Sequence, residues 1–178
     1  SKPWTFQLRD HYSNIPISNT TASNILNFLG EEYNFEENSA KSSQLSIQYR
    51  LGDLEQLSNK SPIDASRIED IVNKITAVNP ELEIVLFSDS IEKASMYLNG
   101  VRGEVLPQRK SAWETIKLCL DSKFFVGTSS KLSYWIAILR LFNGENSTVF
   151  LPIECKEIMD KISRSEEHTS ELQSRETI

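Results

Sequence analysis

Hydrophobic positions are weakly ordered as far as Ser43, in a stretch rich in Asn, Ser and Thr. Within it Ile25, Leu26, Phe28 and Leu29 share a short helical face that Gly30 ends, and the polar run after it has the composition of a linker. From Leu45 the rhythm sharpens. Leu45, Ile47 and Tyr49 alternate as on a strand, and Ile68, Ile71, Val72, Ile75 and Val78 then recur at helical spacing, with Pro80 just beyond. The continuous apolar run Ile84 to Phe87 predicts a strand covered on both faces. A short helix running up to Gly100 follows, then a short strand in "GEVLP". The segment "SAWETIKLCLDS" predicts a helix opened by a capping box of Ser111 and Glu114. "KFFVG" predicts a strand, "SSKLSYWIAILRLFN" a helix apolar around most of its circumference, "STVFLP" a last strand and "ECKEIMDKIS" a last helix. Trp113, Phe124, Phe125 and Trp135 are expected in the core.

Strand alternating with helix in this way predicts an α/β domain, a Rossmann-like parallel sheet with helices on both faces, over residues 44–163. Residues 1–43 are then a tail or linker from a preceding amino-terminal domain that the sequence, starting at Ser1, does not include. Residues 164–178 have no apolar periodicity, and "RSEEHTSELQSR" resembles the translation of a common sequencing-library adapter, so this end is expected to be a disordered artefact.

Composition adds mostly exclusions. With 178 residues, 39% hydrophobic and 25% charged, the chain is long enough for one domain with a core. A formal net charge of −6 argues against broad attraction to nucleic acid. No apolar run approaches the roughly 20 residues of a membrane span, and no signal peptide is expected. Cys119 and Cys155 make no disulfide framework and are expected to be buried reduced thiols. The expected location is the cytoplasm, or the inner face of the membrane as a peripheral protein.

In a parallel α/β sheet ligands bind outside the carboxyl ends of the strands, so the strand exits are where chemistry is expected. "YRLGDL" ends the first strand with Arg50, whose guanidinium fork suits a phosphate, then Gly52 for a turn and Asp53. "FSDS" brings Ser88 and Asp89 to the end of the buried strand; an aspartate there accepts bonds from a ribose hydroxyl or a base edge. "VGTSSKLSYW" puts Thr128, Ser129 and Ser130 at the start of the most buried helix, where amide groups and the helix dipole favour an anion. Each exit also has a plain structural alternative: a local Arg50–Asp53 pair at the first, a helix cap at the other two. Together the three suit a nucleotide diphosphate. Neither G-x-x-x-x-G-K-[ST] nor G-x-G-x-x-G occurs, and there is no Asp-x-Asp. His11 is the only histidine before the suspect tail, which disfavours metal–histidine sites and a Ser-His-Asp triad.

In these residues the sequence resembles the α-1,2 fucosyltransferases and their bacterial relatives. Their arginine-bearing strand exit, Ser-Asp exit and hydroxyl-rich helix start are matched by "QYRLGDL", "FSDS" and "GTSSKLSYWIAILR", in order, over about Leu45 to Phe150. Gln48 stands where the family usually has histidine, Leu51 where a second arginine is common, and Leu54 where an aromatic residue is usual. The resemblance implies the carboxyl-terminal, donor-binding half of a GT-B glycosyltransferase. It implies inverting transfer of fucose from GDP-fucose to a glycan acceptor, with no metal or other cofactor required. Arg50 would be the catalytic group, stabilising the diphosphate leaving group. Gln48, Asp53, Ser88, Asp89, Thr128, Ser129 and Ser130 would bind the donor: Ser129 and Ser130 at the diphosphate, Asp89 near the nucleoside, Asp53 orienting Arg50 or its loop. No catalytic base is apparent, and this stretch alone is expected to be inactive. A non-catalytic nucleotide-binding module is the main alternative, and another transferase or hydrolase on the same sheet is a further one.

Overall fold

The computed structural model describes residues 19–37, 41–56, 61–144 and 148–157. Five parallel strands form one sheet: β1 (Ser42–Tyr49), β2 (Glu83–Ser88), β3 (Val105–Gln108), β4 (Ser122–Val126) and β5 (Val149–Phe150). Their spatial order is β3-β2-β1-β4-β5. The helices are α1 (Asn19–Tyr33), α2 (Ala65–Val78), α3 (Ile91–Tyr97), α4 (Ala112–Asp121) and α5 (Lys131–Phe142). Short 3-10 turns occupy Gly52–Glu55 and Ile153–Cys155. This is the Rossmann-like α/β sheet that the strand–helix alternation predicts. Among the described residues no helix is long and apolar enough to cross a membrane.

Side chains alternate across the sheet because successive residues of a strand point to opposite faces. Leu45, Ile47 and Tyr49 of β1, with Ile84 and Leu86 of β2, meet Ile68, Val72 and Ile75 of α2 and Ile91, Ala94 and Leu98 of α3. Val85, Phe87 and Phe125 point the other way, to Ile116, Cys119 and Leu120 of α4 and Ile136 and Leu139 of α5. Both faces of Ile84–Phe87 are therefore covered, as its unbroken apolar run requires. Phe125 is fully buried, while Trp113 and Phe124 pack against the two cores half-buried. Both cysteines are buried and unbonded, and burial pushes the Cys119 thiol up to about 12.

The boundary expected at residue 44 moves outward. Ala22, Leu26 and Leu29 of α1 are buried in the second core beside α4 and α5, so residues 19–33 are a packed layer of this domain and not a linker. Their helical face is short, but the open face of β4 and α5 gives it something to cover. The last helix expected from "ECKEIMDKIS" starts as the Ile153–Cys155 turn; its continuation past Glu157, and residues 164–178, lie outside the described residues.

Two local devices hold the strand–helix joints. The capping box at α4 forms as expected: Ser111 Oγ accepts from Glu114 N–H at 3.3 Å and Glu114 Oε2 from Ser111 N–H at 2.9 Å. Ser111→Ala should therefore lower unfolding stability by about 1 kcal/mol, visible as a small drop in the urea midpoint with an unchanged slope; no drop would mean the box adds nothing to stability. The second device is Arg140. Helix α4 runs directly into β4, leaving its last carbonyls without helical partners. From α5, fully buried Arg140 donates through Nη1 to the carbonyls of Cys119 (2.5 Å) and Ser122 (2.8 Å), and through Nη2 to Lys123 O (3.2 Å) and Thr148 Oγ1 (2.6 Å). A cation at a helix carboxyl end also suits the dipole.

Candidate functional site

The strand order reverses between β1 and β4. The chain leaves β1 toward α2 on one face of the sheet and leaves β4 toward α5 on the other, which opens a crevice between the two exits. The exits of β1, β2 and β4 meet at this rim. Tyr49 anchors the returning loop: its hydroxyl donates to Ile63 O at 2.7 Å, and burial, followed by the charge of Asp64, pushes its phenol up to about 12.

Arg50 is held from both sides. Its backbone N–H donates to Thr128 Oγ1 at 3.0 Å, linking it to the β4 exit. Its Nε lies 3.0 Å from Asp89 Oδ2, linking it to the β2 exit, and Leu51 N–H donates to Asp89 Oδ1 at 3.0 Å. The side chains of Arg50 and Asp89 are 38% and 29% exposed.

The start of α5 is built on β1. Ser130 is the N-cap: its Oγ accepts from Ser133 N–H at 3.0 Å and donates to Gln48 Oε1 at 2.8 Å. Ser133 Oγ also donates to Gln48 Oε1, at 2.5 Å, and accepts from Thr128 N–H at 3.0 Å. Thr128 Oγ1 donates to Gln48 O at 3.1 Å. The turn is tight: a β-carbon on Gly127 would lie 2.7 Å from Leu151 Cδ2 and 2.9 Å from Ser133 Oγ. Ser129 is exposed, its hydroxyl 2.9 Å from that of Tyr134.

These contacts sort the residues expected at the site. Arg50, Asp89, Ser129 and Ser130 share one rim. Gln48 and Thr128 sit beneath it, 4% and 1% exposed, with side chains committed to internal bonds. Expected to touch a donor, they instead brace the start of α5 against β1: Gln48 faces inward from central strand β1, and Thr128, two residues past β4, is covered with it. Ser88 Oγ accepts from Ser90 N–H at 3.0 Å and shapes the turn into α3. Asp89 pairs with Arg50, and Asp53 falls in the 3-10 turn Gly52–Glu55. The sequence reading missed Ser133, a polar residue on a buried helix face three positions after the cap. That spacing was the available signal.

Two basic residues, Arg102 and Arg109, lie away from the crevice. Arg109 pairs with Glu92 at the surface. Arg102 lines a cleft of about 490 Å³ with Asn73, Thr76, Glu83 and Leu106, at the amino ends of β2 and β3 and so at the opposite end of those strands from Arg50. That cleft lacks the set of groups that meets at the strand exits.

No family model matches the sequence, and no curated protein matches it. Two solved structures similar to this chain are crystal forms of POFUT1 in complex with GDP. One is 11% identical with a TM-score of 0.48, covering 75% of this chain and 46% of that one. The other is 11% identical with a TM-score of 0.46, covering 75% and 48%. This chain spans just under half the length of each.

Proposed function

We propose that the β1–β4 crevice binds the diphosphate of a sugar nucleotide, and that the domain is the donor-binding part of a glycosyltransferase. The observation that carries this reading is the position of Arg50: one residue past β1 at the switch point, held by the β2 and β4 exits, beside the amino end of a buried helix. A guanidinium and a helix amino terminus side by side favour a polyanion. Guanosine and fucose as the nucleoside and sugar come from the sequence resemblance to α-1,2 fucosyltransferases.

As the bond from the anomeric carbon to the β-phosphate oxygen breaks, negative charge builds on the diphosphate. The Arg50 guanidinium and the first turn of α5, with the exposed Ser129 hydroxyl, stabilise that charge, while Ser130, whose hydroxyl is spent on Gln48, holds the turn in place. The acceptor hydroxyl attacks the anomeric carbon from the opposite side, so configuration inverts, and its proton leaves to a base that no described residue here supplies.

Thermal unfolding with GDP, UDP, CMP and NAD tests the binding step. GDP should raise the midpoint most; a ligand at 100 times its Kd adds about 2.7 kcal/mol, and each kcal/mol moves the midpoint by about 2–4 °C at this size. Stabilisation by NAD and not by GDP would overturn the assignment. GDP binding without sugar transfer by the intact polypeptide would instead support a non-catalytic nucleotide-binding module.

A further inference from the structure

We infer that Asp89 is a positioning residue that aims the Arg50 guanidinium, and that position 52 is glycine because the Asp89 carboxylate occupies the space of a side chain there. The functional part of this inference rests on the diphosphate reading above; the geometric part does not.

β1 and β2 pair in parallel with Tyr49 opposite Ser88. The next residue on each strand is then Arg50 and Asp89, brought face to face by register. One carboxylate oxygen accepts the Leu51 N–H and the other faces Arg50 Nε, each at 3.0 Å. One side chain thus restrains both the backbone leaving β1 and the guanidinium. At Gly52, where φ is +25°, a β-carbon would lie 2.0 Å from Asp89 Oδ2 and 3.0 Å from its Cγ. That contact is impossible without moving the carboxylate, so the glycine of "RLGD" and the aspartate of "FSDS" form one device.

Two considerations make the device positional. An ion pair this exposed contributes little to stability. A carboxylate beside a diphosphate is also repulsive unless its charge is spent on a cation. What it does here is fix a long, flexible side chain before a ligand arrives, reducing the ordering cost of binding. Asp89 would then act through Arg50 and not on the nucleoside.

The two functions of the carboxylate can be separated. Asp89→Asn keeps an oxygen for Leu51 N–H but places an amide nitrogen toward Arg50 Nε; Asp89→Ala removes both contacts. In arginine-labelled protein, the Nε–Hε signal of Arg50, identified by its absence from Arg50→Lys, should exchange with solvent faster in D89N while the remaining spectrum stays native. GDP affinity, by calorimetry, should fall roughly 10-fold in D89N, as expected for coupled neighbours, and D89N should add nothing when introduced into Arg50→Ala. An Nε–Hε signal unchanged by D89N would overturn the inference. So would equal losses of affinity with and without Arg50, which would place Asp89 on the nucleotide itself. If the parent protein fails to bind GDP, the diphosphate reading falls, and the Nε–Hε comparison alone still decides whether Asp89 holds Arg50.

Discussion

Arg50→Ala in the intact polypeptide is expected to lower sugar transfer by about 10²–10³-fold, the usual effect of removing one preorganised donor from developing charge. The chain should still fold. Arg50 is partly exposed, and a pair of this kind is worth about 0–1 kcal/mol of stability. Release of GDP from GDP-fucose in the presence of glycan acceptors measures the effect, with the far-ultraviolet spectrum as the control for folding. Because the guanidinium meets most charge as the leaving group departs, kcat should carry most of the loss, with kcat/KM falling at least as much since Arg50 also holds the bound diphosphate. Arg50→Lys should recover part of the loss, since an ammonium carries the charge but lacks the planar fork. Near-normal transfer by Arg50→Ala would remove Arg50 from the mechanism and leave the crevice without its principal cation.

The second large effect falls on stability. Arg140→Met should destabilise the domain by about 3–5 kcal/mol, since several buried or part-buried acceptors each lose a charge-assisted hydrogen bond, at roughly 1–3 kcal/mol apiece. The methionine fills much of the space of the arginine stem, so the loss is polar: the carbonyls of Cys119, Ser122 and Lys123 and the Thr148 hydroxyl lose the donors now within 2.5–3.2 Å of them. Domains of this kind are stable by only about 5–15 kcal/mol. With a urea slope of about 1–3 kcal/mol per molar, the midpoint should move by at least about 1 M. Arg140→Lys should fall between the two, because a single ammonium cannot reach carbonyls on both sides of the α4–β4 joint. A midpoint unmoved by Arg140→Met would show that water satisfies those carbonyls, contrary to their burial.

Arg140 also shows why part of the molecule was not legible in the chain. Within "WIAILRLF" nothing along the chain distinguishes it from a charge on the solvent face of an apolar helix. Its position is buried only because α4 passes into β4 without a loop and α5 lies across that joint. Helix α1 was misplaced for a related reason: three buried side chains on a weak pattern gain their value from a surface that exists only once α4 and α5 have packed. Thr128 is expected at the rim from its nearness to a strand end, and Gln48 from the resemblance alone. Whether such a residue faces the crevice or the core depends on which side of the pleat it occupies and on what covers that side.

The class of fold, the positions of the central strands and of α2, α4 and α5, the capping box and the segments that end at strand exits can all be read along the chain. Those features follow from hydrophobic period and backbone capping, which act over a few residues. That three of those exits meet, that Asp89 lies against Arg50, and which hydroxyls are braces and which lie at the rim emerge only when the sheet assembles. Contacts between residues 38 to 85 positions apart depend on strand order and register, and no local pattern along a chain encodes those.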